Sequence, residues 1–91
     1  MKRICLIISG YVQGVGFRWY AKRTAKKFGI TGRVRNLRSG EVEILAEGEE
    51  KEINKFLNEL RSGSFQENIE DVKVTEGEYK GQFSHFSIRF F

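Results

Sequence analysis

The 91-residue chain has no proline, a single cysteine and a single histidine. The lone Cys5 cannot form a disulfide within the chain, and its apolar neighbours predict a buried thiol. One cysteine and one histidine are too few for the usual metal-ligand clusters, so we expect neither a metal nor another cofactor. The apolar run at residues 4–8 is too short for a signal-peptide core or a membrane span, which predicts a cytoplasmic protein without membrane association.

Charge and composition indicate an ordinary globular protein. Sixteen basic and twelve acidic residues give a net charge of +4, which is typical of a solvated surface. The alternative is a mild preference for anionic partners, either small phosphates or nucleic acid. With 40% hydrophobic and 31% charged residues, we expect a single domain over residues 1–91, with a monomer as the default state.

Hydrophobic spacing predicts strands and helices that alternate along the chain. Period-two alternation indicates strands, and apolar residues at i, i+3, i+4 and i+7 indicate helices, each followed by a glycine. The segment SFQENIE is polar and is predicted to be a loop, and the terminal Phe90 and Phe91 are predicted to lie in strand core. The predicted elements are a strand at 4–8, a helix at 17–28, a hairpin turning at 38–40, a helix at 53–60, and strands at 72–74 and 86–90.

This order predicts an α+β fold of the ferredoxin-like class. The split β-α-β arrangement has this order: strand, helix, two strands, helix and strand, here with one more strand at the end. We therefore expect an antiparallel sheet of four to five strands with two helices on one face, forming an α/β sandwich around one core. The fold alone assigns no function, because enzymes, RNA-binding proteins and metal chaperones share it.

The stretch GYVQGVGFR, residues 10–18, connects the first strand to the first helix. A loop in this place presents backbone N–H groups near the positive end of the helix dipole, where anions bind. Gly14 and Gly16 allow the backbone to curl closely around a ligand, and Arg18 adds a guanidinium fork that matches phosphate oxygens. The loop therefore predicts a site for phosphate or a similar tetrahedral anion. The alternative is an ordinary turn with a surface arginine.

The same residues resemble a known family. Residues 10–18 are similar to the first signature of the acylphosphatase family, G-x-V-Q-G-V-x-F-R, at every defined position. Residues 32–48 resemble the second signature, with Arg33 as a departure where an aromatic residue is usual. Chain length and element order also match the family.

The resemblance implies hydrolysis of the carboxyl–phosphate bond of an acyl phosphate, without a metal, to give a carboxylate and inorganic phosphate. The conjugate acid of a carboxylate has a pKa of about 4, so the leaving group departs readily and needs no general acid. Such phosphoryl transfer depends on positioning and charge stabilisation, which fits a chain without a catalytic histidine, cysteine or carboxylate pair. Free phosphate and sulfate are then expected to compete with the small-molecule substrate.

The resemblance also implies which residues act. Arg18 would bind the phosphoryl oxygens, and Asn36 would orient the attacking water through its side-chain amide, whereas propensity alone makes Asn36 a turn residue. The backbone of the loop would complete the phosphate cradle, formed by Gly10, Tyr11, Val12, Gln13, Gly14, Val15, Gly16 and Phe17.

Two other functions are compatible with the fold and charge. An RNA-binding sheet would expose aromatic residues on its central strands, but the candidate strands RICLIIS and EVEILAE contain none. A related domain with lost or redirected activity is the second alternative, against which the intact Arg18 and Asn36 favour retained turnover. No feature of the sequence identifies the acyl group of the substrate.

Overall fold

A computed structural model describes residues 1–90. It confirms the predicted order of helices and strands, and adds one short helix before the fourth strand. The elements are β1 (Lys2–Gly10), α1 (Phe17–Lys27), β2 (Thr31–Asn36), β3 (Val42–Gly48), α2 (Glu50–Ser62), a 3-10 helix (Gln66–Asn68), β4 (Ile69–Gly77) and β5 (Phe86–Arg89).

The five strands form one sheet in the order β4-β1-β3-β2-β5. Three of its pairs are antiparallel as predicted, but β5 lies parallel to β2, so the prediction of a wholly antiparallel sheet is wrong at this pair. The cause is the connection at residues 78–85. Because β4 runs antiparallel to β2, a chain that reverses after β4 and crosses to the other edge must run parallel to β2.

The core lies between one face of this sheet and the two helices, which confirms the predicted α+β sandwich. Alternate residues of the central strands are buried, and each helix contributes residues at helical spacing to the same cluster. The largest fully buried side chains include Ile4, Leu6, Ile8, Phe17, Val34, Ile44, Ile53, Phe56 and Leu60. Within the described residues, neither helix is long and apolar enough to cross a membrane.

Three local predictions are wrong. Cys5 is only half-buried, because its side chain lies on the sheet face opposite the helices, and partial burial raises the pKa of its thiol. The polar segment predicted as a loop forms the 3-10 helix and the first residues of β4. Phe90 is 69% exposed, because β5 ends at Arg89 before this side chain reaches the core. Phe91 lies outside the described residues.

Candidate active site

The loop between β1 and α1 is attached at its start to the 3-10 helix. The Tyr11 N–H donates to the Asn68 carbonyl at 2.8 Å, and Asn68 Nδ2 donates to the Tyr11 carbonyl at 2.9 Å. Gly10 has a φ of 127°, and a Cβ there would collide with the Asn68 carbonyl oxygen. The close approach of the backbone at position 10 to the Asn68 carbonyl therefore requires glycine. Because the Tyr11 N–H is already bonded, the N–H donors open to a ligand begin after Tyr11.

The middle of the loop is held against the β2–β3 turn. The side chain of Val12 is buried in the core. Gln13 Nε2 donates to the Leu37 carbonyl at 2.8 Å and to the Glu41 carbonyl at 2.9 Å, which joins the loop to both sides of the turn. The sequence placed only the backbone of Gln13 in the site. Its side-chain role was missed because backbone acceptors leave no signal in a sequence.

The end of the loop presents unbonded N–H groups at the start of α1. Gly14 and Gly16 have φ values of 73° and 87°, a left-handed conformation that favours glycine. Gly16 occupies the N-cap position without a side-chain cap. Among residues 1–90, the N–H groups at positions 12–16 donate to no protein acceptor. Together with the free N–H groups of the first helical turn, they can donate to an anion.

Arg18 is the second residue of α1, in a first turn that contains no acidic residue. A cation at a helix N-terminus opposes the helix dipole, so the electrostatics of the helix do not favour an arginine at this position. The end of β5 holds the side chain in place. Arg18 Nη1 donates to the Arg89 carbonyl at 3.4 Å, and its guanidinium carbon lies 4.9 Å from the centre of the Phe90 ring.

Asn36 is the last residue of β2, where it pairs with Val42. Its Oδ1 atom is buried and has no hydrogen-bond partner among the described residues. A buried acceptor without a donor is costly, so this oxygen is suited to accept a hydrogen bond from a bound molecule.

The loop after β1, the end of β2 and the end of β5 lie at the same end of the sheet. β1, β2 and β5 run in the same direction, so their carboxyl ends lie at the same end of the sheet. Arg18 donates to Arg89, whose register partner on β2 immediately precedes Asn36, and Gln13 donates to the carbonyl of the residue that follows Asn36. The structure thus brings together the loop, the guanidinium and the amide that the sequence identified separately.

The aromatic side chains near the loop differ in their exposure to solvent. Tyr11 and Trp19 are exposed, at 70% and 59%. Tyr20 is buried and donates its hydroxyl to the Glu59 carbonyl at 3.0 Å. Among residues 1–90, no three His, Cys, Asp or Glu side chains cluster in a way that could hold a metal ion.

Comparison with known proteins gives the same family by sequence and by structure. The Acylphosphatase family model matches residues 4–88. Acylphosphatases of Methanospirillum hungatei and Thermotoga maritima are 46% identical over 92 residues and 38% identical over 91 residues, covering 98% and 100% of both chains. The crystal structure of acylphosphatase from Bacillus subtilis matches with a TM-score of 0.91 at 38% identity, covering 98% of this chain and 99% of that one. The chain therefore belongs to the acylphosphatase family of hydrolases, whose activity is the hydrolysis of acyl phosphates.

Proposed function

We propose that the phosphoryl group of an acyl phosphate binds at the start of α1, and that a water held by Asn36 attacks it. Arg18 and the free N–H groups at positions 12–17 would surround the phosphoryl oxygens. The observation that carries this proposal is the start of α1, where uncapped N–H groups and the Arg18 guanidinium lie together in a first turn that contains no acidic residue. An anion from outside supplies the missing negative charge.

The reaction needs one bond to form and one to break. The water oxygen attacks phosphorus while the bond from phosphorus to the acyl oxygen breaks, and its electron pair leaves with the carboxylate. The attacking water loses its proton to solvent or to the phosphate product. Asn36 Oδ1 would accept a hydrogen bond from the water and hold it in line with the leaving group.

Charge stabilisation would come from fixed donors. In the transition state, negative charge is spread over the three equatorial phosphoryl oxygens. Arg18 supplies two parallel N–H donors, and the loop supplies several more that are already oriented. These groups do the work that a metal ion does in many phosphoryl-transfer enzymes, so we propose turnover without a metal or another cofactor.

The remaining expectations concern the protein as a whole. We propose that residues 1–91 act as a single domain and as a monomer in the cytoplasm. The partner is a small acyl phosphate, and inorganic phosphate and sulfate would occupy the same cradle. We propose no nucleic-acid partner, because the sequences of the two central strands contain no aromatic residue.

The direct test is phosphate release from benzoyl phosphate, with and without EDTA. We expect turnover to survive exhaustive chelation, and inorganic phosphate and sulfate to raise the apparent KM without changing kcat. Loss of turnover with EDTA that Mg²⁺ restores would overturn the metal-free mechanism. Inhibition by phosphate that leaves KM unchanged would place the anion site away from the loop.

A further inference from the structure

A second concave site lies between α1 and β5. The cavity has a volume of about 370 Å³, within the range of roughly 300–1,000 Å³ that is usual for small-molecule sites. We refer to it as the α1–β5 cavity. Its lining includes Lys22, Lys26, Ile30, Ser84, His85 and Phe86.

The α1–β5 cavity is separate from the phosphate cradle. Lys22 and Lys26 follow Arg18 at intervals of four residues, so they lie on the same side of α1, and Lys26 is about 12 Å further along the helix axis. The other lining residues flank the first residues of β2 and β5, whereas Asn36 and Arg89 end those strands. The two sites therefore lie at opposite ends of the sheet.

The floor of the cavity is apolar and fixed by the core. Ile30 and Phe86 are 3% and 5% exposed, and the Phe86 ring packs against Phe56 with 6.2 Å between ring centres. The backbone beside the floor is also held, since the Gly32 N–H donates to the His85 carbonyl at 3.1 Å. The small part of these two side chains that reaches the cavity gives it a preformed apolar floor, which suits one aromatic ring or branched alkyl group.

The rim of the cavity is cationic. Among the described residues, its lining contains the cations Lys22 and Lys26 and no carboxylate. Within residues 1–90, neither lysine forms a salt bridge, whereas the neighbouring Lys27 pairs with Glu59 at 3.2 Å. Lys22 Nζ lies 5.4 Å from the centre of the Trp19 ring, and Lys26 lies in the last turn of α1. Two ammonium groups without a carboxylate partner among the described residues, beside an apolar floor, favour a ligand that combines negative charge with an apolar body.

We propose that the α1–β5 cavity binds a small aromatic or branched-chain carboxylate. Its apolar body would lie on Ile30 and Phe86, and its carboxylate would face Lys22 and Lys26. A carboxylate fits better than a phosphate because the cavity lining has no arginine and no glycine-rich turn like that of the loop. This link to the reaction rests on the proposed function: acyl phosphate hydrolysis releases a carboxylate, and a product acid with an apolar body would bind here, away from the reaction centre.

The binding test uses benzoate and amide chemical shifts of the full chain, with inorganic phosphate at saturation to occupy the cradle. We expect benzoate to shift the amide signals of Lys26, Gly29, Thr31 and His85. Acetate lacks the apolar body and benzamide lacks the charge, so both should bind about tenfold more weakly. Shifts confined to residues 10–18, or equal binding of benzamide and benzoate, would overturn the proposal.

Two double variants distinguish binding in the cavity from an effect of the protein's net charge. Changing Lys22→Gln together with Lys26→Gln should weaken benzoate binding about tenfold, as expected for two partly exposed charge contacts. Changing Lys51→Gln together with Lys73→Gln removes the same charge from exposed positions elsewhere and should leave benzoate affinity unchanged. Equal losses in the two double variants, or no loss in the first, would contradict the assignment. This readout does not depend on turnover, so it remains decisive even if hydrolysis is not detected.

Discussion

The two helices begin in opposite ways. α2 starts after Glu49 in an extended conformation, and Glu50 and Glu52 lie in its first turn, where carboxylates complement the positive end of the helix dipole. α1 starts after Gly16 in a left-handed conformation, has no acidic residue in its first turn, and has Arg18 as its second residue. Both helices pack apolar residues into the same core, so the difference is confined to their first turns.

From this comparison we infer that the start of α2 serves stability and that the start of α1 serves binding. The N-terminus of α2 carries its own negative charge. The N-terminus of α1 has unsatisfied N–H groups and an added cation, an arrangement that weakens an isolated helix. An unfavourable helix start of this kind, which no other group of the protein compensates, is expected where a bound ligand supplies the compensating charge. Four substitutions test this interpretation, in order of decreasing effect.

Arg18→Ala should have the largest effect. We expect turnover to fall about a thousandfold and phosphate affinity to fall with it, because one guanidinium contacts the anion in both ground and transition states. Arg18→Lys should restore little, since an ammonium cannot make the two parallel contacts. Steady-state rates and phosphate calorimetry measure both effects. The matched control is Lys51→Ala, which removes a cation from the second position of α2 and should change neither. Unchanged phosphate affinity in Arg18→Ala would mean that the start of α1 does not hold the anion.

Asn36→Ala should separate turnover from binding. Removing the amide leaves the attacking water unoriented, so we expect turnover to fall about a hundredfold, or about 3 kcal/mol of barrier, while phosphate still binds. Asn54→Ala, at an exposed position of α2, is the control, and circular dichroism verifies folding. If Asn36→Ala folds normally and retains near-full turnover, Asn36 is only the end of a strand.

Gln13→Ala should lower turnover to an intermediate extent, because the Gln13 side chain positions the loop relative to Asn36 and does not itself contact the substrate. Without the two hydrogen bonds to the β2–β3 turn, the loop and Asn36 are no longer held together, so turnover should fall about tenfold. Because phosphate would contact the loop and Arg18 but not Asn36, kcat should fall more than KM rises. Gln13→Glu should not restore turnover, since an ionised carboxylate cannot donate to the two carbonyls. The control is Gln66→Ala, at an exposed position outside the site. A lower melting temperature with unchanged kcat would assign Gln13 to stability alone.

Trp19→Glu should have the smallest effect and makes α1 resemble α2. It places a carboxylate at the third helical position, where α2 has Glu52. We expect phosphate affinity to fall about fivefold while thermal stability holds or rises, because the new charge complements the dipole and repels the anion. Trp19→Gln removes the indole without adding charge and should leave phosphate affinity unchanged. Equal losses in the two variants would show that the indole, not the helix dipole, affects the anion.

The helices and the order of the elements were predictable, whereas the pairing of the last strand was not. The apolar spacing of α2 and the glycine that follows it are contained in one short window, so the helix was identified correctly. The edge that β5 joins depends on contacts with β2, more than fifty positions earlier, and no short window carries that information. In the site, the two signatures located the loop and Asn36, but the partners of the Gln13 side chain are carbonyls 24 and 28 positions away.

The hydrogen bond from Arg18 to the Arg89 carbonyl joins positions that are 71 residues apart. Contacts that close so long a segment cost more loop-closure entropy than local ones, so we expect them to form after local helices and hairpins. β5 has only four residues, so it gains little from its own local structure before it docks beside β2. We therefore expect catalytic competence to appear after the local helices have formed. During refolding, recovery of turnover should lag behind recovery of the helical circular dichroism signal, which makes activity a report on completed folding.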